Sequence, residues 1–330
     1  MDHPFIESSF TKPDETFENP LRPRRLSEFA GQPSVIKRLE VFVAAAKERK
    51  EALGHCLLSG PPGLGKTTLA HILSKEMGSD LTVTSGPAIE KPGDLAGVLT
   101  NLKQGDILFI DEIHRLSRIS EEYLYSAMED FSLDLMIDSG PNARSVQVKL
   151  SPFTLVGATT RSGLLSSPMR SRFVISLRLD YYDVRTLENI VQRSSVLLKA
   201  PMTSEASHEI GKRSRGTPRI ANNLLRWTRD FAQTKKRLPI DGQTAKEALE
   251  MLQIDEQGLD EMDKKILNVI IHHHKGGPVG LSNLAAALGE EPHTLEEVYE
   301  PYLILEGYLR RTPRGRETTE KAHNHLGVRP

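Results

Sequence analysis

Along residues 33–159 the apolar positions recur in two rhythms. Stretches such as VIKRLEVFVAAAKERK (35–50), TTLAHILSKEM (67–77), DLAGVLTNL (94–102) and SEEYLYSAMEDF (120–131) interleave apolar with polar residues. The runs HCLLS (55–59), LTVTS (81–85), ILFID (107–111) and FTLVGAT (153–159) between them are short and mostly apolar. The first rhythm predicts amphipathic helices and the second predicts buried strands, so the alternation implies an α/β fold with a parallel sheet wrapped by helices.

Residues 133–150, LDLMIDSGPNARSVQVKL, break this alternation. Val146, Val148 and Leu150 alternate with Gln147 and Lys149 beyond a turn-rich centre, which predicts an inserted β-hairpin. From Tyr182 to Asp255 the pattern is helical throughout and reads as a small helical domain, with 13 Lys/Arg against 9 Asp/Glu. Residues 256–330 predict three helices, then a strand, a turn and a strand (YLRRT, PRG, RETTE), which is the order of a winged helix. The resulting division is a flexible, proline-bearing arm at 1–20, a large domain at 21–181, a helical domain at 182–255 and a winged helix at 256–330.

Charge and cysteine usage narrow the function. The formal net charge is −1, so no global field commits the chain to nucleic acid or to an anionic membrane, and only local patches can do so. Residues 256–330 hold 9 Lys/Arg against 12 Asp/Glu, yet four arginines crowd into RRTPRGR (310–316). The lone Cys56 lies in an apolar run and forbids an intrachain disulfide. No apolar run reaches the roughly 18 residues of a membrane span and the N-terminus lacks a signal pattern, so a cytoplasmic location is expected.

Gly60-Pro61-Pro62-Gly63-Leu64-Gly65-Lys66-Thr67 matches GxxxxGK[ST] between a predicted strand and a predicted helix. Glycines let backbone N–H groups turn onto phosphates, Lys66 reaches the β and γ phosphates, and the Thr67 hydroxyl suits Mg²⁺. A chance glycine-rich turn would lack those flanks. ILFIDE brings Asp111 and Glu112 to a strand end, where Asp111 suits the Mg²⁺ shell and Glu112 suits activation of water. FTLVGATTR ends in Thr159 and Thr160, which on their own also fit an ordinary strand-end turn. SSPMRSRF supplies Arg170 and Arg172. RGTPRIANN puts Thr217 at a helix N-cap, Pro218 at the first helical position and Arg219 in the first turn, where a cation opposes the dipole and calls for an anionic partner. The consecutive His272, His273 and His274 point around a helix and cannot share one metal well, and Trp227 fits the core of its amphipathic helix.

The set GPPGLGKTT, DEIHRL, GATTR, SPMRSRF and RGTPRIAN resembles the AAA+ ATPases. Together with GGPVGL, EPYLILEGYL and RTPRGR it is similar to the RuvB family of bacterial branch-migration motors over about residues 20–325. The resemblance implies ATP and Mg²⁺ as cofactors and a hexameric ring on double-stranded DNA at Holliday junctions. It also implies the partner RuvA, docked on the hairpin through Val146, Val148 and Leu150, and the RuvC resolvase in a larger complex.

By the same resemblance Gly63, Gly65, Lys66, Thr67 and Thr68 belong to the phosphate loop, Asp111 and Glu112 are the acidic pair, Thr160 is a sensor, Arg172 is an arginine finger and Arg219 is the lid sensor. Leu21, Arg22 and Tyr182 fall at positions near the base, and Glu129, Asp130 and Phe131 near nucleotide. At RRTPRGR, Pro313 and Gly315 suit a tight turn that presents Arg311 and Arg316, with Arg310 and Arg314, to DNA phosphates. Val174 and Asn223 stand where the family usually has glycine and a basic residue. A clamp-loader-like AAA+ machine would share the ATPase parts without needing the winged helix. A nucleotide-switched DNA-binding regulator would not need Glu112 or Arg172.

Overall fold

The computed structural model describes residues 5–11, 14–136 and 145–328. They form two compact units, Leu21–Tyr182 and the described residues of Met1–Pro20 with Asp183–Pro330.

In the first unit, strands β1 Cys56–Ser59, β2 Leu81–Ser85, β3 Ile107–Asp111, β6 Thr154–Thr159 and β7 Ile175–Arg178 make one sheet. The sheet is parallel throughout, in the order β2-β3-β6-β1-β7. The central strands β1, β3 and β6 are buried along nearly their whole length, which explains their apolar runs. The edge strand β7 was not foreseen, since Ile175-Ser176-Leu177-Arg178 alternates buried and exposed positions over only four residues. A core built on Leu57, Leu108, Ile110, Leu124, Phe153 and Leu155 fixes the sheet against its helices. Because all strands run the same way, their carboxyl ends share one edge, where the phosphate loop, Asp111, Glu112 and Thr160 follow β1, β3 and β6.

The inserted hairpin pairs β4 Ser132–Met136 with β5 Ser145–Lys149, antiparallel, with Leu133 opposite Val148. Its predicted turn lies outside the described residues. One expected docking residue is displaced from that role: Leu150 is 8% exposed, belongs to the core cluster and donates its backbone N–H to Phe131 O at 2.7 Å. It anchors the base of the hairpin, because the same apolar side of β5 runs from the core at one end to open surface at Val146, which is 44% exposed.

In the second unit, helices Val184–Leu197, Ser204–Lys212, Pro218–Thr234 and Gly242–Met251 form the expected helical bundle. Asp183, Thr203 and Asp241 cap three of them by accepting from Thr186 N, Ala206 N and Thr244 N. Glu261–Asn268 continues as a π-helical turn to His273, and Leu281–Leu288 and Glu300–Leu305 follow around a core of Ile266, Leu284, Leu303 and Leu309. β8 Leu309–Thr312 and β9 Gly315–Thr318 pair antiparallel about the two-residue turn Pro313-Arg314. Gly315 has a φ of 141°, and a Cβ there would stand 2.3 Å from Val279 O, so only glycine lets the wing lie against the helical part.

Of residues 5–20, expected as a loose arm, those described are helical at Phe5–Thr11 and from Glu15 on, where Glu15–Leu21 begins, with Asp14 just ahead of the second helix. Ile6 is fully buried, Tyr299 donates to Glu7 at 3.0 Å, and Arg226 donates to Asp14 at 2.7 Å. The polarity that suggested a solvated arm instead makes specific bonds to the second unit.

Candidate functional site

The phosphate loop is shaped by its glycines. Gly60, Gly63 and Gly65 have φ of 139°, 78° and 99°, a region that residues with a Cβ seldom adopt. A Cβ on Gly60 would stand 2.3 Å from Leu179 O, and one on Gly65 would stand 3.0 Å from the Phe29 ring. The helix Lys66–Met77 starts directly after the loop, so its first N–H groups and its dipole face the loop's concavity. The buried Lys66 ammonium donates to Gly60 O and Pro61 O, each at 2.8 Å. Thr67 and Thr68 begin the helix half-buried. Tyr182 donates its hydroxyl to Leu64 O at 3.0 Å, and burial raises the pKa of its phenol. Leu21 is buried and Arg22 half-buried in the same unit.

Across the sheet edge, the Glu112 carboxylate is held by several neighbours. Glu112 adopts a left-handed conformation with φ 46°, and its N–H donates to Asp111 Oδ1 at 3.0 Å. Thr160 Oγ1 donates to Glu112 Oε2 at 3.0 Å, joining the ends of β3 and β6. His114 adds a contact that the sequence reading missed: its Nδ1 lies 3.1 Å from Glu112 Oε2 and 2.9 Å from Thr159 Oγ1. The signal was present in DEIHRL, where a turn two residues after Glu112 can fold a side chain back onto it. Gly86 abuts this turn, since a Cβ on it would meet Glu112 O at 2.4 Å.

Arg172 caps the short helix Ser167–Ser171. Its Nη2 donates to Glu129 Oε2 at 2.9 Å, its Nη1 donates to Pro168 O at 2.8 Å, and the guanidinium lies 4.4 Å from the Tyr125 ring centroid. Asp130 and Phe131 follow Glu129, and Phe131 turns left-handed with φ 47°. Glu129, the first residue of this segment, thus lies beside Arg172.

Arg219 belongs to the other unit, where its expected anionic partner is Glu18, with Nε 3.2 Å from Oε1. Thr217 occupies the N-cap as expected, but its hydroxyl donates to Ser214 O rather than capping the helix. At the wing, the buried Glu300 accepts from Arg311 Nη2 at 2.5 Å and from Arg316 Nε at 2.6 Å. The Arg316 side chain is 12% exposed and that of Arg311 46%, while Arg310 and Arg314 lie in the open.

Asp111 and Thr67 offer hard oxygen ligands, which suit Mg²⁺, an ion that takes few protein ligands and completes its shell with water and phosphate oxygens. Among the described residues no cluster of three or more His, Cys, Asp or Glu forms an all-protein metal site, and the histidine triplet forms none.

Three family models match the chain in sequence order. They are the Holliday junction DNA helicase RuvB P-loop domain over residues 21–179, the RuvB AAA lid domain over 182–255 and the RuvB C-terminal winged helix domain over 256–327. The Holliday junction branch migration complex subunit RuvB of Protochlamydia amoebophila is 64% identical over 99% of this chain and 98% of its own length. That of Flavobacterium psychrophilum is 64% identical over 94% of this chain and 91% of its own length. The solved structure of the Thermotoga maritima RuvB Holliday junction branch migration motor superposes with a TM-score of 0.86 at 53% identity, covering 94% of this chain and 99% of that one. With P-loop, lid and winged-helix segments all matched, the chain belongs to the RuvB family of P-loop ATPases.

Proposed function

We propose that this chain is an ATP-driven motor that moves double-stranded DNA through Holliday junctions, driving branch migration in recombination and repair, and that it works as a hexameric ring with RuvA. The observation that carries the reading is the joint between Glu112 and Thr160, because a carboxylate held by a threonine hydroxyl at 3.0 Å, on the same sheet edge as the phosphate loop, suits turnover and not nucleotide binding alone. The winged helix in the same chain favours a DNA substrate over protein remodelling.

In this reading Lys66 leaves its loop carbonyls to neutralise the β and γ phosphates, and Thr67 and Asp111 would hold Mg²⁺, which would supply further charge neutralisation there. Glu112 takes a proton from the attacking water while Thr160 fixes the carboxylate. Leu21, Arg22 and Tyr182 flank the base, and Arg219 from the lid contacts nucleotide. Arg172 exchanges Glu129 for the γ-phosphate of a neighbouring subunit, where its charge stabilises the transition state. Arg311 and Arg316 grip DNA phosphates with donors not spent on Glu300, aided by Arg310 and Arg314. RuvA docks on the outer part of the hairpin through Val146 and Val148, and RuvC joins the larger complex.

The test is subunit mixing. Arg172→Ala and Lys66→Ala chains should each lose turnover by about 100-fold or more. In randomly mixed rings about a quarter of interfaces pair an intact pocket with an intact finger, so a measurable fraction of hydrolysis returns. No recovery in rings confirmed as mixed by native mass spectrometry would count against trans action.

A further inference from the structure

The mechanism above makes no use of the most deeply buried charge cluster in the second unit. Arg215 sits in the short link between helices Ser204–Lys212 and Pro218–Thr234, with φ 51° and 3% exposure. Its guanidinium leaves the lid and enters the winged-helix segment. Nε donates to Gly258 O at 2.8 Å, Nη2 donates to Asp263, and Asp260 Oδ2 lies 3.7 Å away. Asp260 and Asp263 are themselves locked in a reciprocal cap at the start of Glu261–Asn268, each carboxylate accepting from the other's N–H at 2.9 Å. The approach is close enough that a Cβ on Gly258, where φ is 76°, would stand 3.1 Å from Arg213 O.

The cluster is not built for stability alone. Arg215 Nη1, Asp260 Oδ2 and Asp263 Oδ1 are buried without a hydrogen-bond partner, and burying such groups costs more than an apolar replacement of the same shape would. What it provides is a fixed position. The guanidinium also lies 4.9 Å from the Tyr302 ring centroid, and Tyr302 donates to Gln257 O at 2.6 Å. Two residues earlier in the same helix stands Glu300, which holds both Arg311 and Arg316. A single short helix, Glu300–Leu305, therefore carries at one point the support of Arg215 and at another the clamp on the wing.

We propose that Arg215 is a positioning residue that couples the lid to the wing, so that displacement of the lid reaches Arg311 and Arg316 through Asp260, Asp263, Tyr302 and Glu300 without being absorbed in the link. The inference rests on the motor reading for its consequence, but the joint itself is a property of this chain. Arg215 touches neither the assigned nucleotide residues nor the wing tip. Its loss should therefore separate two activities that loss of a catalytic or DNA-contacting residue would lower together.

The test compares the full-length parent with Arg215→Met, which keeps the stem and removes the charge, and with Arg215→Lys, which keeps the charge but loses the fork. Three quantities are read: ATP turnover without DNA, duplex affinity with its salt slope, and junctions migrated per ATP hydrolysed. A fourth is the distance distribution between probes placed at Lys235 in the lid and His293 in the winged helix. Arg215→Met should keep turnover and affinity within about threefold of the parent and lower migration per ATP by about tenfold or more, with a broadened probe distribution. Arg215→Lys should fall between. If Arg215→Met does not fold, Asp263→Asn is judged by the same criteria.

Unchanged migration per ATP, or an unchanged probe distribution, would overturn the proposal. So would a loss of turnover or affinity in parallel with migration, which would mark a general structural role. Should the parent itself neither hydrolyse ATP nor move junctions, the motor reading fails, and the probe distribution still decides the joint.

Discussion

At the scale of single residues, Glu112 concentrates the chemistry. Thr160 Oγ1, the Thr160 N–H and His114 Nδ1 all reach one of its oxygens, Oε2, at 3.0, 3.4 and 3.1 Å. Glu112→Gln keeps the shape and removes the base, so the variant should bind ATP within about threefold of the parent while turnover falls by about 100-fold or more. Equilibrium binding of a fluorescent ATP analogue and steady-state phosphate release separate the two effects. A Glu112→Gln protein hydrolysing at the parental rate would remove the carboxylate from the mechanism. Cys56 gives an independent check of the fold at this scale. It is fully buried in β1 and burial pushes its thiol up to about 12. The native protein should resist iodoacetamide at pH 8, and the unfolded chain should take one label by mass spectrometry. The candidate residues of the phosphate loop and the acidic pair could be proposed from sequence because each sits in a local motif whose chemistry does not depend on distant partners. His114 lies two residues past Glu112, so its contact with that carboxylate was within reach of the string DEIHRL, whereas its contact with Thr159 forms only when the β6 end arrives beside β3.

Elements were legible wherever a run of residues was long or strongly patterned. The buried strands β1, β3 and β6 and the long amphipathic helices followed the hydrophobic pattern, while β7 was too short to register. The hairpin shows how a correct element can hide a wrong face. Alternation along Val146, Val148 and Leu150 identified a strand with one apolar side, but alternation does not say how far the core extends along it. The structure places that limit between Leu150 and Val146. Charged replacements at the two ends should therefore have opposite consequences. Val146→Asp should change stability by no more than about 0.5 kcal/mol and abolish partner-stimulated turnover, whereas Leu150→Asp should destabilise by about 3 kcal/mol or more. Thermal unfolding and an ATPase assay with RuvA decide the matter. Retained stimulation in a folded Val146→Asp protein would move the dock elsewhere. At the wing the turn and its glycine were legible, but the pairing of two arginines with Glu300 was not, because Glu300 lies in a helix whose local pattern advertises only solvent-facing charge.

For the whole molecule, the order of domains along the chain was evident from the sequence, but the grouping of its beginning was not. Leu21–Tyr182 is one continuous stretch, whereas the second unit joins residues before position 21 to residues after 182. The bond from Tyr299 to Glu7 closes a separation of 292 positions. During vectorial synthesis this imposes a schedule. The sheet-bearing unit has every residue it needs once its last strand clears the ribosome tunnel. The first helices must wait for a partner that emerges about 15 to 60 seconds later at ordinary elongation rates. A chain stalled so that residue 182 has just cleared the tunnel should thus show a protease-resistant body from about residue 21 onward with cleavage confined to the residues ahead of it, and release of the complete chain should extend protection to Ile6 and Glu7. Equal protection of both segments in the stalled chain would show that the amino-terminal helices find a home of their own. Until that last contact forms, Ile6 remains an apolar side chain awaiting burial, a window in which chaperones that recognise nascent hydrophobic segments would have their opportunity to bind.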